Sequence, residues 1–455
     1  MARTTVADVL ADGLARAGAG RLVVAPGDNP VILAVREAAT RRGLAALQAP
    51  DAMVSGVLAA VSGEIGDGPG ALVAGLGDAP GLVRGLAHAQ RDRVPLIAIT
   101  EAGSDAALLA PVVKASLVVE PASAGHWIAH AANLAASAPR GPVHLIVDAS
   151  TVSESALPVA TVCRPGPMPP PDATAFEALG AALRVAVKPV LITGLECSAD
   201  DAKWLRAFAE TLPASVLATP KGRGVLAEPH PLALGLLAAS HPLLARADLF
   251  LLVGVDASEL PPGMLPAAAP VARIGRAPWV GAPLVADVLG DIALVIEELA
   301  PIVRARQAAD WDVAELDRLK RAVIQAQRAT PEGRLVALAR EAMPMGTIAT
   351  GDVPTLAAWQ AVAPRETLAA LGMATPGYAV TAAVAAQLAH PDRRVVAFTT
   401  PVGLAAAEPA RALAEKLALP IIVVVLGPIA DETSFTAEFA RAFATPRLTI
   451  IGGAG

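Results

Sequence analysis

The sequence predicts an α/β protein in which strands of parallel sheets alternate with helices along the chain. Short apolar runs bounded by turn residues alternate with segments of helical periodicity throughout, a pattern typical of repeated strand-helix units. The 455 residues exceed what one hydrophobic core usually organises, so we expect two or three domains. Hydrophobic residues are 54% of the chain and aromatic residues only 3%, so the core must consist mainly of closely packed Ala, Leu and Val.

The apolar runs define the expected elements. The first elements are an amphipathic helix over 5–18, a strand over 21–25, a helix over 30–42, and buried strands over 71–75 and 95–100. Expected strands further along the chain cover 189–193, 249–253, 347–350, 395–399 and 420–426. Together they predict three α/β domains, each a mainly parallel sheet flanked by helices.

Prolines and charges mark the predicted domain boundaries. Residues 158–171 are rich in proline, and fixed φ angles without amide donors exclude both a helix and a central strand, so this segment is predicted to be a linker. Residues 304–329 are charged with helical periodicity, which predicts a helical linker. The domains are then 1–157, 172–303 and 330–455, and we expect the last to be shortened.

The charge pattern narrows the possible partners. The net charge of −6 comes from interspersed charges without a basic block, which excludes nucleic acid and membrane surfaces as expected partners and favours a small-molecule or protein partner. No run reaches the ~18 apolar residues of a membrane span, and no signal segment follows Met1, so a soluble, cytoplasmic protein is expected. Cys163 and Cys197 indicate neither a disulfide framework nor a zinc cluster.

A series of segments stands in an informative order. These are "VAPGDNPVILAV" and "GLAHAQRDRVPLIAIT", then "KPVLITG", "PKGRGVLAEPHPLALG" and "ADLFLLVG", and finally "IATGDV", "LGMATPGYAVTAAVAAQLAHPDRRVVAFT" and "LPIIVVVLG". They resemble the pyrimidine-binding, central and diphosphate-binding domains of thiamine-diphosphate enzymes of the acetolactate synthase and 2-oxoacid decarboxylase kind. The resemblance covers nearly the whole chain. It implies thiamine diphosphate and magnesium as cofactors, and a homodimer or homotetramer with active sites between chains.

The resemblance also implies site residues. A family Glu that hydrogen bonds to the cofactor's pyrimidine ring falls at Asp51, whose carboxylate is one methylene shorter. Asp28 matches an Asp that decarboxylases use in protonation steps, so Asp28 and Asp51 are the candidate catalytic residues. The implied cofactor-binding residues are Gly27, Gly377, Thr400 and Gly403. From the residues alone, Asp51 is also explained as a helix N-cap, and the glycines after strands are explained as ordinary turn residues of an α/β protein.

The magnesium ligands of the family pattern are missing from this sequence. The family has Gly-Asp-Gly after a strand like "RRVVAFT" and an Asn pair after the next strand; here those positions hold Pro401 and Gly427-Pro428. Proline has neither a side-chain oxygen nor an N–H. We therefore predict no metal ligands and leave the cofactor open. Asp431 and Glu432 follow, and a solvated loop is expected there.

Other clusters of polar side chains are weak signals. His126 and His130 are spaced to share one face of a helix, where a packed or solvent-facing pair is expected. A solvated helix face is expected for Arg84, Arg91, Asp92 and Arg93. The sequence contains no Walker loop, strand-linked G-x-G-x-x-G or G-x-S-x-G motif.

Three functional hypotheses remain open at this point. The leading one is a thiamine-diphosphate-enzyme-like protein with a degenerate cofactor site, which acts on another ligand in the interdomain cleft. The second is an active carbon-carbon lyase or ligase on 2-oxo acids with an atypical site built on Asp28 and Asp51. The third is a non-catalytic subunit or scaffold. The sequence identifies no substrate and leaves open whether the chain is an enzyme.

Overall fold

A computed structural model of the chain describes residues 4–304, 310–352, 354–371, 375–427 and 431–452. The described residues form three sheets flanked by helices, so the predicted three-domain α/β architecture is confirmed. By compactness the chain divides into two units, Met1–Gly166 with Ala370–Val425 and Ala442–Ile450, and Pro167–Ala369 with Leu426–Arg441 and Ile451–Gly455. The domain boundaries drawn from the sequence stay predictions.

The first sheet follows the expected pattern of buried parallel strands. Its strands are β1 (Leu22–Val24), β2 (Ala46–Gln48), β3 (Gly70–Ala74), β4 (Leu96–Glu101), β5 (Ser116–Val119) and β6 (Pro142–Val147). Its helices are α1 (Val6–Ala17), α2 (Pro30–Arg41), α3 (Ala52–Ile65), α4 (Ala79–Arg91) and α5 (Ala124–Ala136). The strand order is β2-β1-β3-β4-β6-β5, all pairs parallel. Both β1 and β3 are buried along their whole length, because helices cover both faces of such a sheet.

Helix α1 shows how local sequence sets an element's bounds. The Thr5 side chain accepts a hydrogen bond from the Asp8 N–H, and the Asp8 carboxylate accepts one from the Thr5 N–H. This reciprocal capping box satisfies two donors at the helix start. The helix ends at Gly18, whose φ of +86° suits glycine. The predicted helix over 5–18 is confirmed.

The proline-rich segment 158–171 contains neither helix nor strand, as its composition predicts. Most of it is exposed, but Val159 and Cys163 are buried in the hydrophobic core that α1, α2 and α5 share with the first sheet. Burial raises the pKa of the Cys163 thiol. This cysteine therefore packs as a small apolar residue that anchors the linker.

The second sheet belongs to the central domain. Its strands are β7 (Pro189–Thr193), β8 (Ser215–Ala218), β9 (Ala233–Leu236), β10 (Leu249–Val253), β11 (Val271–Gly275) and β12 (Ala286–Leu289). Its helices are α6 (Ala173–Val185), α7 (Ala199–Thr211) and α8 (Ile292–Arg304), and α9 (Val313–Arg328) follows in the predicted helical linker. The strand order is β12-β11-β10-β7-β8-β9, again with parallel pairs.

The third sheet is built from the last part of the chain. Its strands are β13 (Ile348–Gly351), β14 (Thr367–Leu368), β15 (Val395–Thr399), β16 (Ile421–Val425) and β17 (Thr449–Ile451), in the order β14-β13-β15-β16-β17. Its helices are α10 (Pro331–Ala342), α11 (Tyr378–Ala389), α12 (Pro401–Ala406), α13 (Glu408–Lys416) and α14 (Glu432–Ala444). Shorter 3-10 turns cover Ser104–Val112, Pro121–Ser123, Ala257–Glu259 and Pro354–Ala358.

The expected loop at Asp431 and Glu432 is wrong. Glu432 is the first residue of α14, and the Asp431 carboxylate accepts hydrogen bonds from the N–H and the hydroxyl of Ser434. These bonds lower the pKa of Asp431. An acid followed three residues later by a bonded N–H is a helix start, which outweighs the loop tendency of adjacent acids. Across the described ranges, every helix is too short or too polar to cross a bilayer.

Candidate functional site

The turn after β1 carries Gly27 and Asp28. Gly27 has a φ of +135°, and the cap of helix α2 is Asn29, whose side-chain oxygen accepts a hydrogen bond from the Ile32 N–H at 2.9 Å. The Asp28 side chain is exposed. The predicted strand, turn and helix around this Asp are confirmed, and its role in protonation stays a prediction.

Asp51 begins helix α3. One of its carboxylate oxygens accepts a hydrogen bond from the Val54 N–H at 2.7 Å, and its C=O accepts one from the Ser55 hydroxyl at 2.7 Å. A carboxylate at this position satisfies an N–H that the helix start leaves without an intrahelical partner, and the helix dipole stabilises its charge. The N-cap interpretation of Asp51 is confirmed. Catalytic use of the same carboxylate would compete with this cap, and that use stays a prediction.

The turns with Asp28 and Asp51 lie at one edge of the first sheet. Strands β1 and β2 are parallel neighbours, and the Gln48 side-chain amide donates a hydrogen bond to the Ala25 C=O at 2.9 Å. In the order β2-β1-β3-β4 the chain reverses direction across the sheet between β1 and β3. Open α/β sheets bind ligands at the carboxyl ends of strands beside such a switch point. The Asp28 turn therefore lies where a small-molecule ligand is expected.

Gly377 sits at the start of α11 in a conformation that favours glycine. Its φ is +87°, and a Cβ added to it would lie 3.0 Å from the Ala407 nitrogen. Its C=O accepts a hydrogen bond from the Thr381 hydroxyl at 3.0 Å. Both the backbone angle and the close approach of the chain explain a glycine here. Cofactor binding at this residue stays a prediction.

Thr400 and Gly403 lie where β15 leads into helix α12. The Thr400 hydroxyl caps the helix, because its oxygen accepts a hydrogen bond from the Gly403 N–H at 3.1 Å. Pro401 occupies the first helical position, where its φ is already suitable and its missing N–H would have no intrahelical partner. The Thr-Pro pair thus makes this strand end a helix start.

A magnesium-bound diphosphate needs several oxygen ligands, usually carboxylates together with phosphate oxygens. At the end of β15 the side-chain oxygens belong to Thr399 and Thr400, and the Thr400 oxygen already accepts a main-chain hydrogen bond. Pro401 supplies no side-chain oxygen and no N–H. At the end of β16, Gly427 has no side chain, and Pro428 lies outside the described residues. The described residues at these strand ends do not fit a magnesium-diphosphate group.

Asp92 contradicts the expectation of a solvated helix face. Arg84 and Arg91 are exposed, but Asp92 is only 5% exposed and its carboxylate accepts a hydrogen bond from the Leu371 N–H at 3.0 Å. The apolar face of α4 recurs at positions 82, 85, 86 and 89, and one further turn along that face reaches 92. Helical periodicity could therefore have identified this buried acid.

The central domain holds another buried acid that the sequence did not single out. Burial raises the pKa of Glu259 to about 8. Three donors nevertheless contact its carboxyl group: the Thr219 hydroxyl at 2.5 Å and the N–H groups of Leu195 and Asp256 at 2.9 and 3.1 Å. A raised pKa is a common mark of catalytic acids. Here the donors come from the domain's own turns, so a structural role in closing the turn after β10 accounts for this residue.

Known protein families match two of the domains, and known proteins are similar to this chain over most of its length. The family model described as thiamine pyrophosphate enzyme, central domain, matches residues 176–299, and the one described as C-terminal TPP binding domain matches 349–427. The acetolactate synthase large subunit of Parasynechococcus marenigrum is 31% identical over 363 residues, which covers 70% of this chain and 58% of that protein. The acetolactate synthase large subunit of Corynebacterium glutamicum is 29% identical over 394 residues, covering 75% and 61%. The chain thus spans less than two thirds of the length of these relatives.

A solved structure shares the fold. A Mycobacterium smegmatis protein classed as a thiamin diphosphate-dependent enzyme matches with a TM-score of 0.80 and 20% identity, over 99% of both chains. At that identity the likeness shows the arrangement of sheets and helices alone. The fold, the two matching family models and the acetolactate synthase relatives agree, and together they support a place for this chain among the thiamine pyrophosphate enzymes.

Proposed function

We propose that this chain is a thiamine-pyrophosphate-enzyme-like protein that does not bind magnesium and thiamine diphosphate in the manner of its family. It takes another small-molecule ligand at the carboxyl ends of its strands. The observation that carries the proposal is the end of β15, where Thr400 caps α12 and Pro401 occupies its first turn. A helix start stands where the family resemblance places a magnesium ligand.

The first domain supports the same proposal. The carboxylate that the resemblance assigns to the pyrimidine ring is Asp51, and it accepts the Val54 N–H at the start of α3. Two positions with cofactor roles in the family, 51 and 401, therefore lie at helix starts. Asp28 is exposed beside the switch point of the sheet, and it is the group that we assign to contact with a replacement ligand.

Thermal unfolding with and without thiamine diphosphate and magnesium tests the proposal. A ligand at ~100 times its dissociation constant adds about 2.7 kcal/mol to the free energy of unfolding. Binding with a dissociation constant of about 10 μM would therefore be visible at about 1 mM cofactor. We expect no magnesium-dependent rise in melting temperature. A rise of several degrees would instead favour the active carbon-carbon lyase or ligase, with an atypical site.

A second experiment restores the magnesium ligands of the family pattern. It distinguishes a strand end whose backbone has been rebuilt from one that has lost only the ligand side chains. The double variant Pro401→Asp with Pro428→Asn supplies the missing oxygens, and Pro401→Ala is the matched control without a carboxylate. We expect neither variant to bind the cofactor, because the Thr400 cap remains and an acid in the first turn stabilises the helix start. Micromolar, magnesium-dependent binding by the double variant alone, measured by calorimetry, would contradict the rebuilt helix start.

We further infer a homodimer or homotetramer, in line with the family resemblance. Large apolar side chains on the first domain support association, because Leu76, Leu108 and Val118 are 59%, 51% and 62% exposed. Light scattering should give at least twice the chain mass of 45.8 kDa at micromolar concentration. A monomer under those conditions would contradict this inference. It would also contradict the scaffold hypothesis, which requires a surface for association.

A further inference from the structure

Three ionisable side chains meet between helices α3 and α4 of the first domain. Glu64 lies on the last turn of α3, His88 lies on the last turn of α4, and Asp92 follows the end of α4. His88 Nε2 is 3.7 Å from Glu64 Oε2, and His88 Nδ1 is 3.6 Å from Asp92 Oδ2. One possible ligand atom from each residue lies within 4.8 Å of the other two. We call these residues the α3/α4 triad.

The α3/α4 triad is buried. The side chains of Glu64, His88 and Asp92 are 10%, 4% and 0% exposed. Within the described part of the chain, neither ring nitrogen of His88 has a hydrogen-bond partner, and its distances to the two carboxylates exceed the 2.7–3.2 Å of an ordinary hydrogen bond. Buried polar atoms are nearly always satisfied, so an imidazole aimed at two carboxylates without bonding to either indicates an additional partner.

Small residues bring the two helices close enough to form the triad. A Cβ added to Gly85 would lie 2.2 Å from the carbonyl carbon of Gly56, and one added to Gly81 would lie 2.7 Å from the Ala52 Cβ. These contacts are four residues apart on both helices, so α3 and α4 run side by side in the same direction. Continued in that register, the last turns of the two helices meet, and those turns carry the triad.

The surroundings hold the three side chains in place. His88 and Asp92 are four residues apart, so they lie on one face of α4, and the Asp92 N–H donates to the His88 C=O at 2.9 Å. The Leu371 N–H donates to the Asp92 carboxylate at 3.0 Å. The ring of Tyr378 packs against the His88 ring at a centroid distance of 5.0 Å. Such outer contacts orient the ligands of metal sites before the ion arrives.

We propose that the α3/α4 triad binds a divalent transition-metal ion, with zinc as the ion that fits best. A tetrahedral ion with bonds of about 2.0–2.2 Å holds its ligand atoms about 3.3–3.6 Å apart. His88 Nε2 and Glu64 Oε2 are 3.7 Å apart, whereas Asp92 Oδ2 lies beside the other ring nitrogen, Nδ1, at 3.6 Å. One ligand atom from each residue lies within 4.8 Å of the other two, so a turn of the Asp92 carboxylate toward the ion completes the site. An imidazole nitrogen favours zinc over magnesium or calcium, which prefer oxygen ligands.

The α3/α4 triad is separate from the positions that the proposed function concerns. Asp51 caps the beginning of α3 and Glu64 lies near its end, so at 1.5 Å per residue they are about 20 Å apart along the helix. Zinc binding at the triad therefore does not depend on whether the chain binds thiamine diphosphate. A failure of either proposal leaves the other intact.

Zinc titration of metal-stripped protein tests the site. Calorimetry should show one zinc ion per chain with a dissociation constant in the micromolar range or below, and mass spectrometry of metals should confirm that stoichiometry after dialysis. His88→Gln removes the ring nitrogens with little change in size, and Glu64→Gln removes one carboxylate. Each variant should weaken zinc binding at least tenfold. Cobalt in place of zinc should give visible absorption bands in the wild type that both variants lose.

His126 and His130 provide the matched control. They lie four residues apart on α5, exposed, with stacked rings 6.0 Å apart, and could themselves hold a zinc ion. The double variant His126→Gln with His130→Gln should keep the wild-type stoichiometry and affinity. Loss of binding in that variant with retention in His88→Gln would overturn the proposal, as would absence of binding by folded wild type. Circular dichroism verifies that each variant is folded. Should His88→Gln not fold, zinc binding by Glu64→Gln provides the test of the proposal.

Discussion

Two buried histidines of the first domain have different neighbours. His144 on β6 is fully buried, and its Nε2 and Nδ1 lie 2.7 Å from the Thr100 hydroxyl and 3.2 Å from the Ser116 hydroxyl. His88 on α4 is 3% exposed and faces two carboxylates, with no hydrogen-bond partner in the described part of the chain. Hydroxyls donate and accept, so they satisfy a neutral imidazole, whereas ionised carboxylates only accept and suit a cation between them.

The difference shows that burial alone does not mark a functional histidine. Burial lowers the pKa of His144 to about 4, and its two hydroxyl partners complete a neutral, structural residue between neighbouring strands. His88 lies instead on a helix whose contact with α3 brings acidic side chains to it from two elements. The kind of neighbour, more than the degree of burial, distinguishes a candidate ligand from a core residue.

The largest effect is expected from separating α3 and α4. Gly85→Ala places a Cβ 2.2 Å from the Gly56 backbone, a clash that no side-chain rotation relieves. We expect it to reduce the free energy of unfolding by about 4 kcal/mol, measured by urea denaturation, and to abolish zinc binding. Gly20→Ala is the control, because nothing lies within 4 Å of the added Cβ, and its effect should stay within about 0.5 kcal/mol. Wild-type stability in Gly85→Ala would show that the helices do not touch there.

The sequence predicts strands best where the apolar signal is continuous. Strands β7, β10 and β15 have the bounds expected from their runs, because each is buried along its whole length and ends at a Gly or a polar residue. Nine of the described strands were not predicted. Among them, β2 and β5 are short edge strands with alternating exposed positions, whereas β6, β8 and β11 are interior strands with mostly buried residues that the apolar pattern should have identified. Edge strands lack the two covered faces that produce an apolar run.

The candidate sites were predictable only where they depend on local sequence. The N-cap at Asp51 follows from a polar residue before a long apolar helix, which is a local signal. The α3/α4 triad joins residues 64, 88 and 92, whose proximity depends on the glycine contact between two helices. The charges around Asp92 predict a solvated face, whereas the buried face of α4 continues to position 92. Local sequence does not encode such a register between helices.

Acid titration should reveal His144 and sharpen the contrast with His88. The pKa of His144 in the folded chain is about 4, lowered from an ordinary 6.5. The stability that it contributes is therefore fully present above about pH 6.5 and is lost as the pH falls through 4. At about 1.4 kcal/mol per pH unit this is a loss of about 3 kcal/mol. His144→Gln cannot titrate, so its unfolding free energy, measured in urea at pH 7, 5 and 4, should fall less steeply. Equal slopes in wild type and variant would contradict the assignment.

The smallest expected effect separates the two hydroxyls that bind His144. Thr100 is 3% exposed and lies 2.7 Å from Nε2, whereas Ser116 is exposed and its hydroxyl lies 3.2 Å from Nδ1. Thr100→Val keeps the shape but leaves Nε2 without a partner in a place water does not reach, so we expect a loss of about 1–2 kcal/mol. Ser116→Ala should change stability by less than about 0.5 kcal/mol, because water can replace an exposed hydroxyl. Neither change should alter zinc affinity, since both hydroxyls contact His144 and not the α3/α4 triad. Thermal unfolding and zinc titration of the two variants would test this ranking, and an equal or reversed effect would show that buried strand contacts do not hold His144 as described.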